Sequence, residues 1–144
     1  MTQNFRPAWW LRGAHAQTLW GKLARGDPAI ATRAERLPTP DGDLLALHRL
    51  DGARGTARLV ILHGLEGTVR SHYVRASFAE AQRRGWRATL LLFRGCDGQP
   101  NAARRLYHSG ETTDLDHVVR TLVAEEPGTP IVFAGFSLGG NVLL

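Results

Sequence analysis

Pro130-Ile131-Val132-Phe133-Ala134-Gly135-Phe136-Ser137-Leu138-Gly139-Gly140-Asn141 is the stretch whose reading decides the fold. A short apolar run ends in Gly-x-Ser-x-Gly, with Gly135, Ser137 and Gly139 in the named places. An apolar strand leading into this spacing predicts a nucleophile elbow, a sharp strand-to-helix turn that lifts a serine hydroxyl clear of the backbone. Glycine is expected on both sides of the serine because so tight a turn leaves no room for a Cβ. Two rival glycine motifs fail. A phosphate-binding P-loop needs Lys and then Ser or Thr after its last glycine, whereas Asn141 and Val142 follow here. The dinucleotide pattern Gly-x-Gly-x-x-Gly follows none of the predicted strands.

Upstream of the elbow, strand and helix patterns alternate. Arg58 to Leu62 reads as a short apolar strand and His63-Gly64-Leu65-Glu66-Gly67 as a glycine-rich loop. Ser71 to Arg84 has helical spacing, with Val74, Phe78 and Ala81 on one face and Gly85 placed to end it. Trp86 to Phe93 is a second strand, apolar from Leu90 to Phe93 without alternation, as a parallel sheet covered on both faces requires. After an irregular loop from Arg94, a helix is predicted from about Asp114 to Glu125. Leu115, Val118, Val119, Leu122 and Val123 form its apolar stripe, and Thr113 with Asp116 suits its cap. Earlier still, Ala34 to Thr39 and Leu44 to Leu50 flank the turn Pro40-Asp41-Gly42-Asp43 and read as a hairpin. The predicted class is therefore α/β: a hairpin, then a mostly parallel sheet flanked by helices through right-handed crossovers. Residues 1–33 are expected to form an N-terminal aromatic arm, and 34–144 the domain, incomplete after the elbow.

Composition excludes several classes. At 144 residues and 43% hydrophobic, the chain can bury a core. A single cysteine, Cys96, rules out an internal disulfide framework. The net charge of +5 rests on scattered arginines, with Lys22 the only lysine, so a solvated basic surface is expected and no nucleic-acid partner. Neither a transmembrane stretch nor a signal peptide is legible, and the cytoplasm is the expected compartment. Phe5, Trp9, Trp10, Leu11, Leu19, Trp20 and Leu23 crowd the arm. They are expected to pack on the domain body; the alternative is weak membrane-interface contact through Trp9, Trp10 and Trp20.

Ser137 is the candidate catalytic nucleophile. An oxyanion hole in such a site combines the N–H of the residue after the nucleophile with one from the loop after an earlier strand. That assigns the backbone amides of Leu138 and Leu65, with Gly64 letting the loop turn closely. His63 invites reading as a general base, but a histidine that bonds backbone and holds the loop is the expectation. No Asp, Glu or His follows Ser137. Since the triad order in this arrangement is Ser, then acid, then His, the acid and base are expected to be missing from this chain. Asp97, Asp114 and Asp116 are expected as loop and cap residues, and Cys96 as a packing residue. No metal site and no cofactor are expected.

Six blocks together resemble the YheT-like branch of the α/β-hydrolases, related to the ABHD-type lipases and esterases. They are His15-Ala16-Gln17-Thr18-Leu19, His63-Gly64-Leu65-Glu66-Gly67, Ser71-His72-Tyr73, Arg94-Gly95-Cys96-Asp97-Gly98, Tyr107-His108-Ser109-Gly110-Glu111-Thr112 and the elbow itself. The resemblance implies the N-terminal part of an α/β-hydrolase fold and hydrolysis of carboxylic esters, of short-chain or acylglycerol type, through an acyl-enzyme on Ser137. The substrate would be a small-molecule ester. It also implies a structural role for the Tyr107 to Thr112 block. Members of this family run roughly twice as long. An inactive truncated or split fragment, acting only by pairing with another chain, is the alternative.

Overall fold

The computed structural model of the chain describes residues 6–23 and 28–144. Phe5 and the Leu23 side chain, both placed in the aromatic arm by the sequence, lie outside the described residues. The elements are α1 (Ala14–Leu23), β1 (Arg33–Pro38), β2 (Leu44–Leu50), β3 (Arg58–Leu62), α2 (His72–Arg83), β4 (Arg87–Leu92), α3 (Thr113–Glu125), β5 (Ile131–Gly135) and α4 (Leu138–Leu143). The five strands form one sheet in the order β1-β2-β4-β3-β5. The hairpin joins β1 to β2 antiparallel, and β2 meets β4 antiparallel. Central β3 runs parallel to both β4 and β5.

The unbroken apolar runs have a simple cause. Successive side chains on a strand point to opposite faces, and here both faces are covered. Val60, Leu62, Leu91 and Phe93 pack with Val118 and Leu122 of α3 and Val142 of α4. Leu59, Ile61, Ala88, Leu90 and Leu92 pack on the other face with Val74, Phe78 and Ala81 of α2. Every residue of β3 is buried. The crossover through α2 leads from β3 to β4, and that through α3 returns past β3 to β5. The two connections run in opposite directions across the sheet, which makes the C-terminal end of β3 a topological switch point, the usual place for a ligand crevice in open α/β sheets. On the outer side of β5, Val132 and Phe133 stay 40% and 41% exposed.

Three local expectations are corrected. The basic surface is not simply solvated, since Arg49, Arg58 and Arg94 are buried. Arg94 Nε and Nη2 donate to the two carboxylate oxygens of buried Asp114 at 2.8 and 2.7 Å, and Nη1 reaches Asp41 and Asp43. Asp114 is thus an ion-pair residue and not a cap. Arg49 and Arg58 share Glu125 at the end of α3. Burial is tolerable because each charge meets a partner; removing one partner of a buried pair costs about 3–5 kcal/mol. Second, the cap position of α3 is Thr112, not Thr113, and its side chain makes no capping bond. Glu111 fills that role by accepting the Thr113 N–H at 2.9 Å, while Asp116 pairs with Arg120. Third, the arm aromatics do not pack into the core. Trp9 is 80% exposed, and Trp10, Leu19 and Trp20 are also exposed. Trp10 and Trp20 meet each other edge to face at 4.8 Å. Gly21 sits inside α1 without breaking it.

The ion pairs set an acid limit. Hydrogen bonds from Arg105 hold the Glu111 carboxyl down at about 2, and those from Arg49 hold Glu125 at about 2, against an ordinary 4.5. The unfolded chain takes up these protons first, so their contribution is full above pH 4.5 and is lost as pH falls through 2. Urea midpoints measured across that window should fall steadily, and Glu111→Gln should flatten the fall.

Candidate active site

The β3–β5 pairing brings the two loops of the site together. Leu62 stands opposite Gly135, and the next residue, Phe136, donates its N–H to Leu62 O at 3.1 Å. The chain then turns at Ser137 into α4, with Gly139 N–H bonded to Phe136 O and Asn141 N–H to Ser137 O. The glycines are there for close approach. A Cβ on Gly135 would lie 2.5 Å from Gly139 O, and one on Gly139 would lie 2.6 Å from both Leu62 O and His63 O. Leu and Phe at the intervening positions meet no such limit.

Ser137 is exposed and has φ 51° and ψ −114°. Its hydroxyl has no hydrogen-bond partner among the described residues. Positive φ in a residue with a Cβ costs on the order of 1–3 kcal/mol and persists only when the surroundings impose it. Among the described residues, Glu66 (φ 52°) is the other non-glycine in this region, and it lies in the neighbouring loop.

That loop starts at His63, which is fully buried. The Phe93 N–H donates to His63 Nε2 at 3.0 Å, which makes Nδ1 the protonated nitrogen, and it donates to Gly64 O at 2.6 Å. Desolvation pushes the imidazole below its ordinary value, the Gly64 carbonyl acting in the other direction. A neutral ring with both nitrogens engaged has no lone pair to take a proton from Ser137. The histidine locks backbone to backbone, from the end of β4 to the start of the loop. Gly64 runs against the elbow, so that a Cβ there would sit 3.4 Å from Phe136 O and from the Ser137 Cβ. The Leu65 side chain is 70% exposed. Neither the Leu65 nor the Leu138 N–H meets a protein acceptor among the described residues.

Several residues that motif reading left in the background meet this centre. Tyr73 on α2 accepts the Gly64 N–H at 3.1 Å and packs on Phe136 at 4.5 Å between ring centroids. Tyr107 accepts the Glu66 N–H at 3.3 Å and stacks on Phe93. Asn141 Nδ2 donates to Ser109 O at 2.9 Å, tying α4 to the Tyr107 segment. The only hint in the sequence was the position of these residues within the family-like blocks. Cys96 is half-buried beside Tyr107, and burial pushes its thiol up. Asp97 pairs with Arg36 at 2.8 Å. His48 and His117 have their partners in Thr32 and Pro38, away from the elbow in sequence.

No protein-family model matches the chain. Over 143 residues it is 39% identical to the Escherichia coli (strain K12) protein named "Putative esterase YheT", covering 97% of this chain and 42% of that protein. The resemblance is to the YheT-like α/β-hydrolases. The chain is also 28% identical to the Mus musculus phospholipase ABHD3, over 100% of its own length and 37% of that protein. It thus spans about two fifths of the curated relatives it matches. In three dimensions it is similar to the Pyrococcus furiosus esterase Pf2001, with a TM-score of 0.64 at 21% identity over 79% of this chain and 45% of that one. That similarity shows the fold: the chain carries part of an α/β-hydrolase fold.

The strain at residue 137 gives a direct test. Ser137→Gly relieves the positive φ and should raise unfolding stability by about 1 kcal/mol, while Ser137→Ala should not. Urea denaturation of the two variants beside the parent measures the difference.

Proposed function

We propose that the protein hydrolyses carboxylic esters through Ser137. The observation that carries this reading is an exposed, unpartnered serine hydroxyl held at positive φ on a strand-to-helix turn beside two free backbone amides. The names of the relatives, an esterase and a phospholipase, support the same bond type. In the proposed reaction the Ser137 oxygen attacks the ester carbonyl carbon and passes its proton to a base. The carbonyl oxygen gains negative charge and is met by the Leu65 and Leu138 amides, where preorganised donors stabilise a transition state most. Collapse expels the alcohol, which takes the proton, and leaves an acyl-enzyme. Water, deprotonated by the same base, then releases the carboxylic acid. The base and its acid partner are not among residues 138–144, which contain no Asp, Glu or His. His63 is not proposed for that role because both its nitrogens are engaged.

The exposed edge of β5 supports a second reading, in which this chain acts only when a further strand pairs beside Val132 and Phe133. A fluorophosphonate probe separates the two. The protein should be labelled and Ser137→Ala should not. If the 144-residue chain is labelled while monomeric in solution, the pairing reading fails; if no form of the protein is labelled, the serine reading fails.

The arm supports a finer proposal on where substrate is met. Trp9, Trp10 and Trp20 are exposed, and the sequence carries Arg6, Arg12, Lys22 and Arg25 with no acidic residue before Asp27. Among the described residues no helix is long and apolar enough to cross a membrane. Exposed Trp with basic neighbours suits weak contact at an anionic lipid interface. Co-sedimentation with phosphatidylglycerol vesicles should exceed that with phosphatidylcholine vesicles, and Trp9→Ala with Trp10→Ala should abolish the difference. Equal sedimentation of parent and variant would sink the proposal.

A further inference from the structure

The chain contains two tyrosines, and the hydroxyl of each accepts a backbone N–H from the same short loop. From Gly64 to Gly67 the amides are disposed of in turn. Gly64 donates to Tyr73 Oη at 3.1 Å, Glu66 to Tyr107 Oη at 3.3 Å, and Gly67 to Gly64 O at 3.0 Å. Leu65 N–H, between the two tyrosine-bound amides, is the one left without a protein acceptor among the described residues. We infer that Tyr73 and Tyr107 are positioning residues of the ester-cleaving site, holding the flanking amides so that the Leu65 N–H stays free for the developing oxyanion.

This rests on the reading of Ser137 as the nucleophile and adds the question of what aims its oxyanion donor. Tyr73 is anchored to the elbow directly, and the segment that carries Tyr107 is tied to α4 through Ser109. Tyr73 packs on Phe136, the residue before Ser137. Its hydroxyl enters a place that only glycine leaves open, for a Cβ on Gly67 would lie 2.6 Å from it. Tyr107 stacks on Phe93 at 5.2 Å, and the Phe93 N–H binds His63 at the head of the loop. Two residues beyond Tyr107, Ser109 accepts from Asn141 of α4. Displacement of loop against elbow would therefore have to break the Tyr73–Phe136 contact, and displacement of loop against β4 the His63 and Tyr107 contacts with Phe93. Pairing also has a chemical effect. A free amide in a backbone loop takes water, and a retained water competes with the oxyanion; here the other loop amides are already satisfied by protein oxygens.

The two hydroxyls differ in weight. Gly64 is buried and Glu66 is exposed. Without Tyr73 Oη the Gly64 N–H is left unpaired in the interior and the loop must shift to satisfy it, whereas water can replace Tyr107 Oη at Glu66.

The test uses the natural full-length protein with a p-nitrophenyl short-chain ester, comparing Tyr73→Phe, Tyr107→Phe and Ser137→Ala with the parent. Deleting an oxyanion donor outright costs 10²–10³ in kcat, so misaiming one is expected to cost about tenfold in Tyr73→Phe and about threefold in Tyr107→Phe. KM should stay within about twofold, because the oxyanion exists only in the transition state. Amide hydrogen exchange read by mass spectrometry should show faster exchange in the loop peptide of Tyr73→Phe, with exchange of the β3 and β4 peptides unchanged. Parental kcat in both tyrosine variants beside an inactive Ser137→Ala overturns the inference alone. So does a loss that appears in KM, or one accompanied by faster exchange throughout the sheet. Hydrolysis that survives Ser137→Ala overturns the serine reading and the inference with it.

Discussion

The backbone of Gly139 resting on the carbonyls of Leu62 and His63 is the contact on which the rest of the site depends. It joins the first turn of α4 to the end of β3 without an intervening side chain. Because β3 and β5 are parallel neighbours, the loops leaving them emerge side by side at the same end of the sheet. The Gly139 contact then determines how far apart they sit. Gly135 against Gly139 O closes the turn from within. Ser137, between these two glycines, turns the chain at positive φ. Strain at this residue is sustained by packing on both sides, with Val142 of α4 buried in the core beside Val60 and Leu62.

A second layer of constraint is ionic. Arg94 leaves the end of β4 and is enclosed by carboxylates from the hairpin turn (Asp41 and Asp43) and from α3 (Asp114). Arg105, further along the same loop, pairs with Glu111. These pairs order a long irregular segment that has little apolar content of its own, and that segment delivers Tyr107 and Ser109 to the elbow end of the sheet. Guanidinium suits the task because its planar fork satisfies several carboxylates at once. At the opposite end, Arg49 and Arg58 converge on Glu125 and fasten α3 to β2 and β3. The sheet is therefore closed by hydrophobic contact through its middle and by paired charge at both ends.

The YheT-like relatives are more than twice as long as the portion matched here. Within this portion lie an elbow, its neighbouring loop and the two braces on that loop. At the free edge of the sheet, β5 leaves Val132 and Phe133, one on each face, partly bare.

Much of the architecture was legible because burial on both faces demands unbroken apolar strands, and amphipathic helices demand 3.6-residue spacing. Leu90 to Phe93, Val74 with Phe78, and Gly135-x-Ser137-x-Gly139 each follow from such local rules, and the strands with α2 and α3 lie within a residue or two of their predicted bounds, whereas α1 was not predicted. The cap of α3, the burial of Arg49, Arg58 and Arg94, and the exposure of Trp9 and Trp10 were not legible. An arginine next to an apolar strand reads as surface until the chain brings a carboxylate from 20 or more residues away, as Asp114 and Glu125 do. The same reason separates the two parts of the site. Sequence by itself determined the turn at Ser137, because a glycine-flanked serine between strand and helix is a local matter. Only the tertiary structure decided that Tyr73 and Tyr107 meet alternate amides of the His63 loop, since a hydroxyl–amide bond between residues 9 or 41 positions apart leaves no periodic trace in the chain.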